Sequence, residues 1–188
     1  MSVWTFFREF ARDPVLLGAV APSGRALAER MVDAAGIGPG HAVVELGAGT
    51  GPMTAALLAR HPELGQPGAP FVTLEPNPAL AAVLRARFPG VRVEERYAQQ
   101  LRAILDDMKV AAVDRVVSSL PWAIWPEALQ DEVFRAILDV MAPEGRMVTF
   151  GYLHALPLPA ARRLRRALEA RFEGGHTTPA AWANLPPA

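Results

Sequence analysis

The chain has 188 residues, 19 basic and 19 acidic side chains and no cysteine, so it is long enough for one domain with a substantial core. The missing cysteines exclude disulfides and thiolate metal sites, and four scattered histidines argue against a histidine site, so we expect no metal. Zero formal charge argues against a dedicated nucleic-acid binder, which usually carries a basic excess.

The first predicted helix, residues 2–13, is amphipathic. Its apolar residues fall within an arc of roughly 160° on a helical wheel, and the larger of them are Trp4, Phe6, Phe7 and Phe10. Arg8 and Arg12 lie on the opposite face. Such a helix suits a lipid interface with anionic headgroups, and equally a lid over the chain's own active site or core. The sequence has no bilayer-spanning apolar run and no signal-peptide pattern, which favours a cytoplasmic protein.

Strands and helices alternate along the rest of the chain. Helices are predicted at residues 25–35 (with Ser23 as N-cap), 50–60, 78–88 (with Asn77 as N-cap), 99–108, 126–140 and 159–172. Strands are predicted at residues 41–46, 71–75, 91–95, 114–118 and 145–152. Continuous apolar strands that alternate with helices indicate an α/β protein with a doubly wound, mostly parallel sheet. We expect one domain over residues 1–188, with an N-terminal helical region at 1–36 and a core at 37–188.

A glycine-rich turn joins the first predicted strand to the next helix. Its glycines, Gly47, Gly49 and Gly51, would let a ligand lie close to the backbone. Such a pattern is weak evidence by itself. Here, however, Glu45 precedes the glycines, and a second acid, Glu75, ends the next strand. Two acids and a glycine loop at one edge of the sheet predict a nucleotide-type ligand.

This arrangement resembles the class I S-adenosylmethionine-dependent methyltransferases, which have a Rossmann-like fold. The resemblance implies S-adenosylmethionine as the cofactor and S-adenosylhomocysteine as the product. It assigns Glu45 to the methionine ammonium, the glycines to the methionine and ribose, and Glu75 to both ribose hydroxyls. The same resemblance adds Thr50 and Pro76 to the cofactor contacts.

The segment after the third strand departs from that class. Family members commonly place there an acid that binds the adenine amino group, whereas this chain has Tyr97 followed by Ala98 and Gln99. Either the backbone of Tyr97 and Ala98 acts together with the Gln99 side chain, or the alignment differs by one residue. All three are predicted cofactor contacts.

The stretch Ser118-Ser119-Leu120-Pro121-Trp122 ends the fourth strand, at the edge where ligands lie in such folds. Proline would fix a turn in which the carbonyl of Ser119 or Leu120 faces an acceptor nitrogen. The ring of Trp122 could hold an ammonium, at about 0.5–2 kcal/mol. Alternatively, this is an ordinary turn with a core tryptophan. Ser118 is also predicted to contact the cofactor.

Two methyltransferase groups carry a similar pattern. Ribosomal-RNA adenine dimethylases have Asn-Leu-Pro-Tyr/Phe, and small bacterial phospholipid N-methyltransferases have Ser-x-Leu-Pro. The resemblance to the phospholipid group spans nearly the whole chain, including Ala21-Pro22-Ser23, Glu75-Pro76-Asn77 and Asn184-Leu185-Pro186-Pro187-Ala188. It implies successive methylation of phosphatidylethanolamine towards phosphatidylcholine at the inner face of the membrane. It also implies no nucleic-acid partner; we expect a monomer.

The chain stops where the final antiparallel strand of this class would begin, so we expect that strand to be missing. The acceptor ammonium must lose a proton before it can attack, and the candidates for a base are His154 and Tyr152. Transfer of this proton to water is the other option.

Three other functions stay open from the sequence. They are an RNA adenine methyltransferase, a small-molecule amine N-methyltransferase whose first helix is a lid, and a cofactor-binding module without catalysis.

Overall fold

The structure, a computed structural model, describes residues 24–182 and 187–188. Its strands are β1 (Val43–Leu46), β2 (Phe71–Leu74), β3 (Arg92–Glu94), β4 (Val113–Ser118) and β5 (Met141–Thr149). Its α-helices are α1 (Gly24–Ala35), α2 (Pro52–Arg60), α3 (Pro78–Arg87), α4 (Leu101–Met108), α5 (Glu127–Val140) and α6 (Pro159–Glu169). Short 3₁₀ turns lie at Ala98–Gln100, Trp122–Ile124 and Leu153–Ala155.

The five strands form one parallel sheet in the order β3-β2-β1-β4-β5. The central strand β1 pairs with both β2 and β4, so Glu45 lies opposite Thr73 on one side and Val117 on the other. The chain order reverses at β1, and the carboxyl ends of β1, β2 and β4 meet at one edge. In open α/β sheets, ligands bind at such a switch point. The predicted doubly wound α/β fold is confirmed.

Helices cover both faces of the sheet. On one face, α1 and α2 pack against alternate strand residues, among them Val43, Phe71 and Val117. On the other face, α4, α5 and α6 pack against Leu46, Leu74 and other residues of opposite parity. Burial of both faces explains why the strands read as continuous apolar runs.

Within the described residues, the predicted strands and helices are all present, with small shifts at their ends. The largest difference is β5, which begins at Met141 and not at Gly145, because its pairing with β4 resumes after a register shift between Val113 and Arg115. Asn77 caps α3 as predicted: its Oδ1 accepts hydrogen bonds from the backbone N–H groups of Ala79 (2.9 Å) and Leu80 (3.3 Å).

Several sequence predictions lie outside the described residues. They are the amphipathic helix with its proposed membrane contacts, the Ser23 cap and most of the segment at 184–188. None of the helices in the described part of the chain is both long and apolar enough to span a membrane.

Candidate active site at the carboxyl edge of the sheet

The glycine loop after β1 adopts backbone geometry that suits glycine. Gly47 has φ of +76°, in the left-handed region, and its N–H donates to the Leu74 carbonyl at 3.0 Å. A Cβ added at Gly47 would lie 2.9 Å from Leu120 Cδ2. The loop therefore packs directly against the turn that follows β4. Thr50, predicted to contact the cofactor, is exposed at the end of this loop, before α2.

Glu75 fixes the glycine loop from the end of β2. Its Oε2 accepts a hydrogen bond from the Gly49 N–H at 2.8 Å, and its Oε1 accepts one from the Asn77 N–H at 2.9 Å. The side chain is buried, and this burial raises the pKa of the carboxyl while the two backbone hydrogen bonds oppose the rise. One carboxylate thus joins the loops after β1 and β2.

Glu45 lies at the centre of the sheet, on the face covered by α1 and α2. It is completely buried, and its Oε2 accepts a hydrogen bond from the Thr54 hydroxyl on α2 at 2.7 Å. Its Oε1 has no hydrogen-bond partner among the described residues. Burial raises the pKa of the Glu45 carboxyl to about 7, while the hydroxyls of Thr54 and of Thr73, its neighbour on β2, oppose the rise. A buried carboxylate with one unsatisfied oxygen favours a cation or a donor nearby.

A small cleft opens at the carboxyl edge of the sheet, against the loops after β1, β2 and β3; Glu45 and Glu75 adjoin residues that line it but do not line it themselves. Several predicted site residues line it together: Gly47, Pro76, Tyr97, Ala98, Gln99 and Leu120. Residues that the sequence reasoning missed line it as well: Leu46, Leu74, Arg96, Trp125 and Val133. Leu46 and Leu74 are the last residues of their strands, and Arg96 directly precedes Tyr97. Their positions in the sequence could therefore have identified them as residues of the cleft. Nothing in the sequence distinguished Trp125 from Trp122.

Arg96 is the charged residue that lines this cleft within the described part of the chain. Its Nη1 lies 2.9 Å from Asp107 Oδ2 on α4, and its Nε lies 3.4 Å from Glu94 Oε2 on β3. The guanidinium therefore links the end of β3 to α4, beside the segment with Tyr97, Ala98 and Gln99.

The turn after β4 is an inverse γ-turn around Pro121. The Trp122 N–H donates to the Leu120 carbonyl at 2.9 Å, with φ of −82° and ψ of 58° at Pro121. The Ser119 N–H donates to the Leu46 carbonyl at 2.9 Å, whereas the described residues donate no hydrogen bond to the Ser119 carbonyl. Of the two carbonyls predicted for an acceptor, Ser119 is therefore the one that stays available.

The prediction that Trp122 offers its ring to an ammonium is wrong. Its side chain is 1% exposed and stacks on Phe134 with 4.4 Å between ring centroids. Its Nε1 donates to the Ser118 hydroxyl at 2.9 Å. Trp122 is a core residue, because an indole with a satisfied N–H packs well in an apolar interior.

The prediction for the Ser118 side chain needs a similar correction. Ser118 is completely buried and does not line the cleft. Its hydroxyl accepts the indole N–H of Trp122, so it supports the turn from inside. The aromatic residue that reaches the cleft is Trp125, whose ring centroid lies 5.4 Å from that of Trp122.

Tyr152 and His154, the predicted candidates for a base, follow the edge strand β5. Their rings stack with 5.7 Å between centroids, and neither residue lines the cleft. His154 is exposed. Burial raises the pKa of the Tyr152 hydroxyl, which makes its ionised form rarer near neutral pH.

No protein-family model matches the chain. It is 33% identical, over 165 residues, to the ornithine lipid N-methyltransferase of Singulisphaera acidiphila, covering 86% of this chain and 82% of that enzyme. It is 32% identical, over 149 residues, to ribosomal RNA small subunit methyltransferase A of Thermotoga petrophila, covering 73% of this chain and 53% of that protein.

Two solved structures show a similar fold at 18% sequence identity. The precorrin-6y C5,15-methyltransferase of Geobacter metallireducens aligns with a TM-score of 0.56 over 78% of this chain and 69% of that one. A cyclopropane synthase of Mycobacterium tuberculosis aligns with a TM-score of 0.53 over 80% of this chain and 54% of that one. At this identity the likeness concerns the fold alone.

Proposed function

Because the chain belongs to the family of the ornithine lipid N-methyltransferase, within the class I S-adenosylmethionine-dependent methyltransferases, we propose that it methylates the amine of phosphatidylethanolamine. Methylation proceeds in successive steps towards phosphatidylcholine, at the surface of a phospholipid membrane. The observation that carries this proposal is the 33% identity to a lipid N-methyltransferase over 82% of that enzyme. Its acceptor is likewise a lipid, as its name states.

The residues around the cleft fit S-adenosylmethionine, which supplies a methyl group activated on a sulfonium. Glu45 does not line the cleft, but it directly precedes Leu46 and Gly47, which do, and its buried carboxylate would pair with an ammonium. Glu75 already accepts one backbone N–H on each oxygen, and each oxygen keeps a second lone pair for a hydroxyl. Gly47 leaves no side chain between the loop and Leu120. Each of these features suits a cationic amino acid joined to a ribose.

The chain's main contribution to methyl transfer is to hold the acceptor nitrogen in line with the methyl group and the sulfur. The acceptor amine must first lose a proton; bound S-adenosylmethionine would then supply the methyl group to the nitrogen lone pair and keep the C–S electron pair on sulfur. We assign the orientation of that amine to the Ser119 carbonyl, which accepts no hydrogen bond from the described residues and directly precedes Leu120 of the cleft. Because Tyr152 and His154 do not line the cleft, we assign the proton to water.

Membrane contact is part of the proposal, and two features support it. The sequence of residues 2–13 is amphipathic, with three phenylalanines on one face. In the described part of the chain, Ile124, Leu156 and Leu158 are exposed apolar side chains that follow the carboxyl ends of β4 and β5. Next to them, α6 buries Leu164 and exposes Arg162 and Arg166 on the opposite face. Apolar and cationic side chains at this edge suit an anionic lipid surface.

The acceptor is tested by incubating the protein and labelled S-adenosylmethionine with four acceptors in parallel. These are vesicles of phosphatidylethanolamine with anionic lipid, the same vesicles with ornithine lipid in place of phosphatidylethanolamine, ribosomal RNA, and small amines. We expect mass spectrometry to show phosphatidylethanolamine shifted by one, two or three methyl groups. If that lipid stays unmodified while another acceptor is labelled, the proposed acceptor is wrong.

The 32% identity to a ribosomal RNA methyltransferase supports a second candidate, an RNA adenine methyltransferase. Against it stand the zero formal charge and the serine, Ser119, that precedes Leu-Pro where the RNA enzymes have asparagine. Methylation of ribosomal RNA, with binding that weakens steeply as salt is added, would favour this candidate.

Vesicle co-sedimentation tests the membrane contact. Replacing Phe6, Phe7 and Phe10 by serine should abolish sedimentation with anionic vesicles, because the helix loses its apolar face. As a matched control, Thr5→Ser with Glu9→Ser changes the polar face of the same segment and should leave sedimentation intact. If the triple variant sediments like the wild type, this helix is not the anchor.

A further inference from the structure

Gln130 on α5 is a buried polar residue for which the sequence suggested no role. Its side chain is 5% exposed. Its Nε2 donates two hydrogen bonds, one to the Trp122 carbonyl at 2.9 Å and one to the Trp125 carbonyl at 3.1 Å. The Trp125 N–H also donates to the Trp122 carbonyl at 3.1 Å. One amide therefore holds both ends of the turn that contains Trp122–Ile124.

This turn forms one wall of the cleft. Leu120 and Trp125 line the cleft, while Trp122 between them points into the core. From the side of β4, the turn is held by the Ser118 hydroxyl, which accepts the indole N–H of Trp122. From the side of α5, it is held by the Gln130 amide and by Phe134, on which Trp122 stacks.

We propose that Gln130 is a positioning residue for methyl transfer, which fixes the wall formed by Leu120 to Trp125 and so aims the Ser119 carbonyl at the acceptor. The inference rests on the proposed function, because it assumes that the acceptor lies against this turn. Proline restricts the turn only at Pro121, whereas Gln130 fixes the turn's far end to a helix. If Gln130 loses its N–H donors, the Trp125 carbonyl no longer receives a hydrogen bond from α5, and the wall is free to shift. A shift near 1 Å costs on the order of a hundredfold in rate.

A purely structural role for Gln130 predicts a different pattern of effects. It would lower the stability of the fold and leave the turnover of the folded enzyme unchanged. A positioning role lowers kcat at saturating cofactor and acceptor, in protein that is still folded. The affinity for S-adenosylhomocysteine should change little, because Glu45, Glu75 and the glycine loop are untouched.

The experiment compares Gln130→Met, which keeps the length of the side chain but has no donor, with Gln130→Glu. Glu132→Met serves as the control, since Glu132 is an exposed residue of the same helix. We expect Gln130→Met to lower kcat at least tenfold, with less than a threefold change in the calorimetric Kd for S-adenosylhomocysteine. All rates are measured at temperatures where circular dichroism shows folded protein.

The pH dependence of kcat in Gln130→Glu is a second measurement, and a purely structural role for Gln130 would not change it. The carboxyl of this variant is nearly isosteric with the amide but donates a hydrogen bond only when protonated. Relative to the wild type, its kcat should therefore rise as the pH is lowered. The inference is overturned if folded Gln130→Met has the kcat of the wild type. It is also overturned if Gln130→Glu has a lowered kcat whose ratio to the wild-type kcat does not change with pH.

Failure of the proposed function is recognised separately. If the wild type methylates no lipid, Gln130 is tested by acrylamide quenching of tryptophan fluorescence, in protein with Trp4 and Trp182 replaced by phenylalanine. Trp122 and Trp125 then report on the wall without any acceptor. At least a doubling of the quenching constant in Gln130→Met supports the inference, and an unchanged constant overturns it.

Discussion

Glu45 combines complete burial with a pKa raised from 4.5 to about 7, and both affect stability. Because the folded state binds this proton more tightly than the unfolded chain does, stability contributed by the protonated form is present below pH 4.5. It is lost as the pH rises towards 7, by about 3 kcal/mol in the free energy of unfolding. Burial also raises the pKa of Glu75, so its contribution has the same sign.

Glu45→Gln isolates this contribution, because glutamine keeps the shape and stays neutral. Urea denaturation from pH 4 to 8 should show the wild type losing stability relative to the variant across this window. A difference that does not depend on pH would contradict the titration of Glu45. The variant should also bind S-adenosylmethionine more weakly at pH 8, where the wild-type carboxylate would be ionised beside the ammonium.

Gly47→Val should abolish binding of S-adenosylmethionine while the chain still folds. Its Cβ would lie 2.9 Å from Leu120 Cδ2 at a backbone φ of +76°, so both the loop and the cleft wall must move. Gly68→Val is the matched control, since φ there is +90° and a Cβ would meet no atom within 4 Å. The Gly68→Val variant has a similar backbone strain, from a side chain at positive φ, but outside the cleft, and it should bind the cofactor normally. Calorimetry that shows equal affinity for both variants would rule out a role of the loop in binding.

At the residue scale, the sequence was informative where a motif fixes the backbone. Gly47 and Glu75 occupy the places expected from their spacing, and Tyr97, Ala98 and Gln99 line the cleft. It was uninformative about where side chains point along the turn after β4. Trp122 and Trp125 belong to one short apolar run and are both buried in the same core cluster, and only Trp125 also lines the cleft, because Trp122 stacks on Phe134.

Among the elements, α3 has the capping arrangement that was predicted from Asn77 and Pro78. Asn77→Ala removes the acceptor for the N–H groups of Ala79 and Leu80 and should lower the free energy of unfolding by about 1 kcal/mol. Denaturation in urea measures the loss. Asn77→Asp, which keeps an acceptor oxygen, should retain most of the stability; if it is as unstable as the alanine variant, the cap is not the cause.

The turn after β4 is the element on which methyl transfer should depend most. Pro121→Ala leaves the inverse γ-turn without its fixed φ, so the Ser119 carbonyl is less well held. We expect methyl transfer to fall on the order of a hundredfold at saturating cofactor, with cofactor affinity nearly unchanged. Lipid mass spectrometry and calorimetry measure the two quantities. Equal losses in both would show that the turn serves the cofactor and not the acceptor.

Periodicity and capping predicted the existence and type of each described strand and α-helix, whereas tertiary pairing set where the strands begin and end. The strand predicted from Gly145 begins at Met141, because β4 offers Val113 as a partner on the far side of the irregularity. The sequence around residues 141–145 carries no information about this partner, which lies on another strand.

For the molecule as a whole, alternation of strands and helices predicted a parallel sheet, and the family resemblance predicted a Rossmann-like one. Strand order decides which strand ends form the site. β1 lies between β2 and β4, which brings the glycine loop into contact with both Glu75 and Leu120. β5 lies at the edge, which explains why Tyr152 and His154 do not reach the cleft although they too follow a strand.

The central position of β1 has a consequence for the growing chain during synthesis. β2 and β3 leave the ribosome soon after β1 and can pair on one side of it, but the partner on the other side, β4, begins only at Val113. Until then, the backbone N–H and C=O groups along one edge of β1 have no strand beside them. An exposed parallel edge of apolar residues such as Val43 and Val44 is a template for pairing with other chains. We therefore expect nascent chains that stall before Val113 to aggregate more readily than the complete chain.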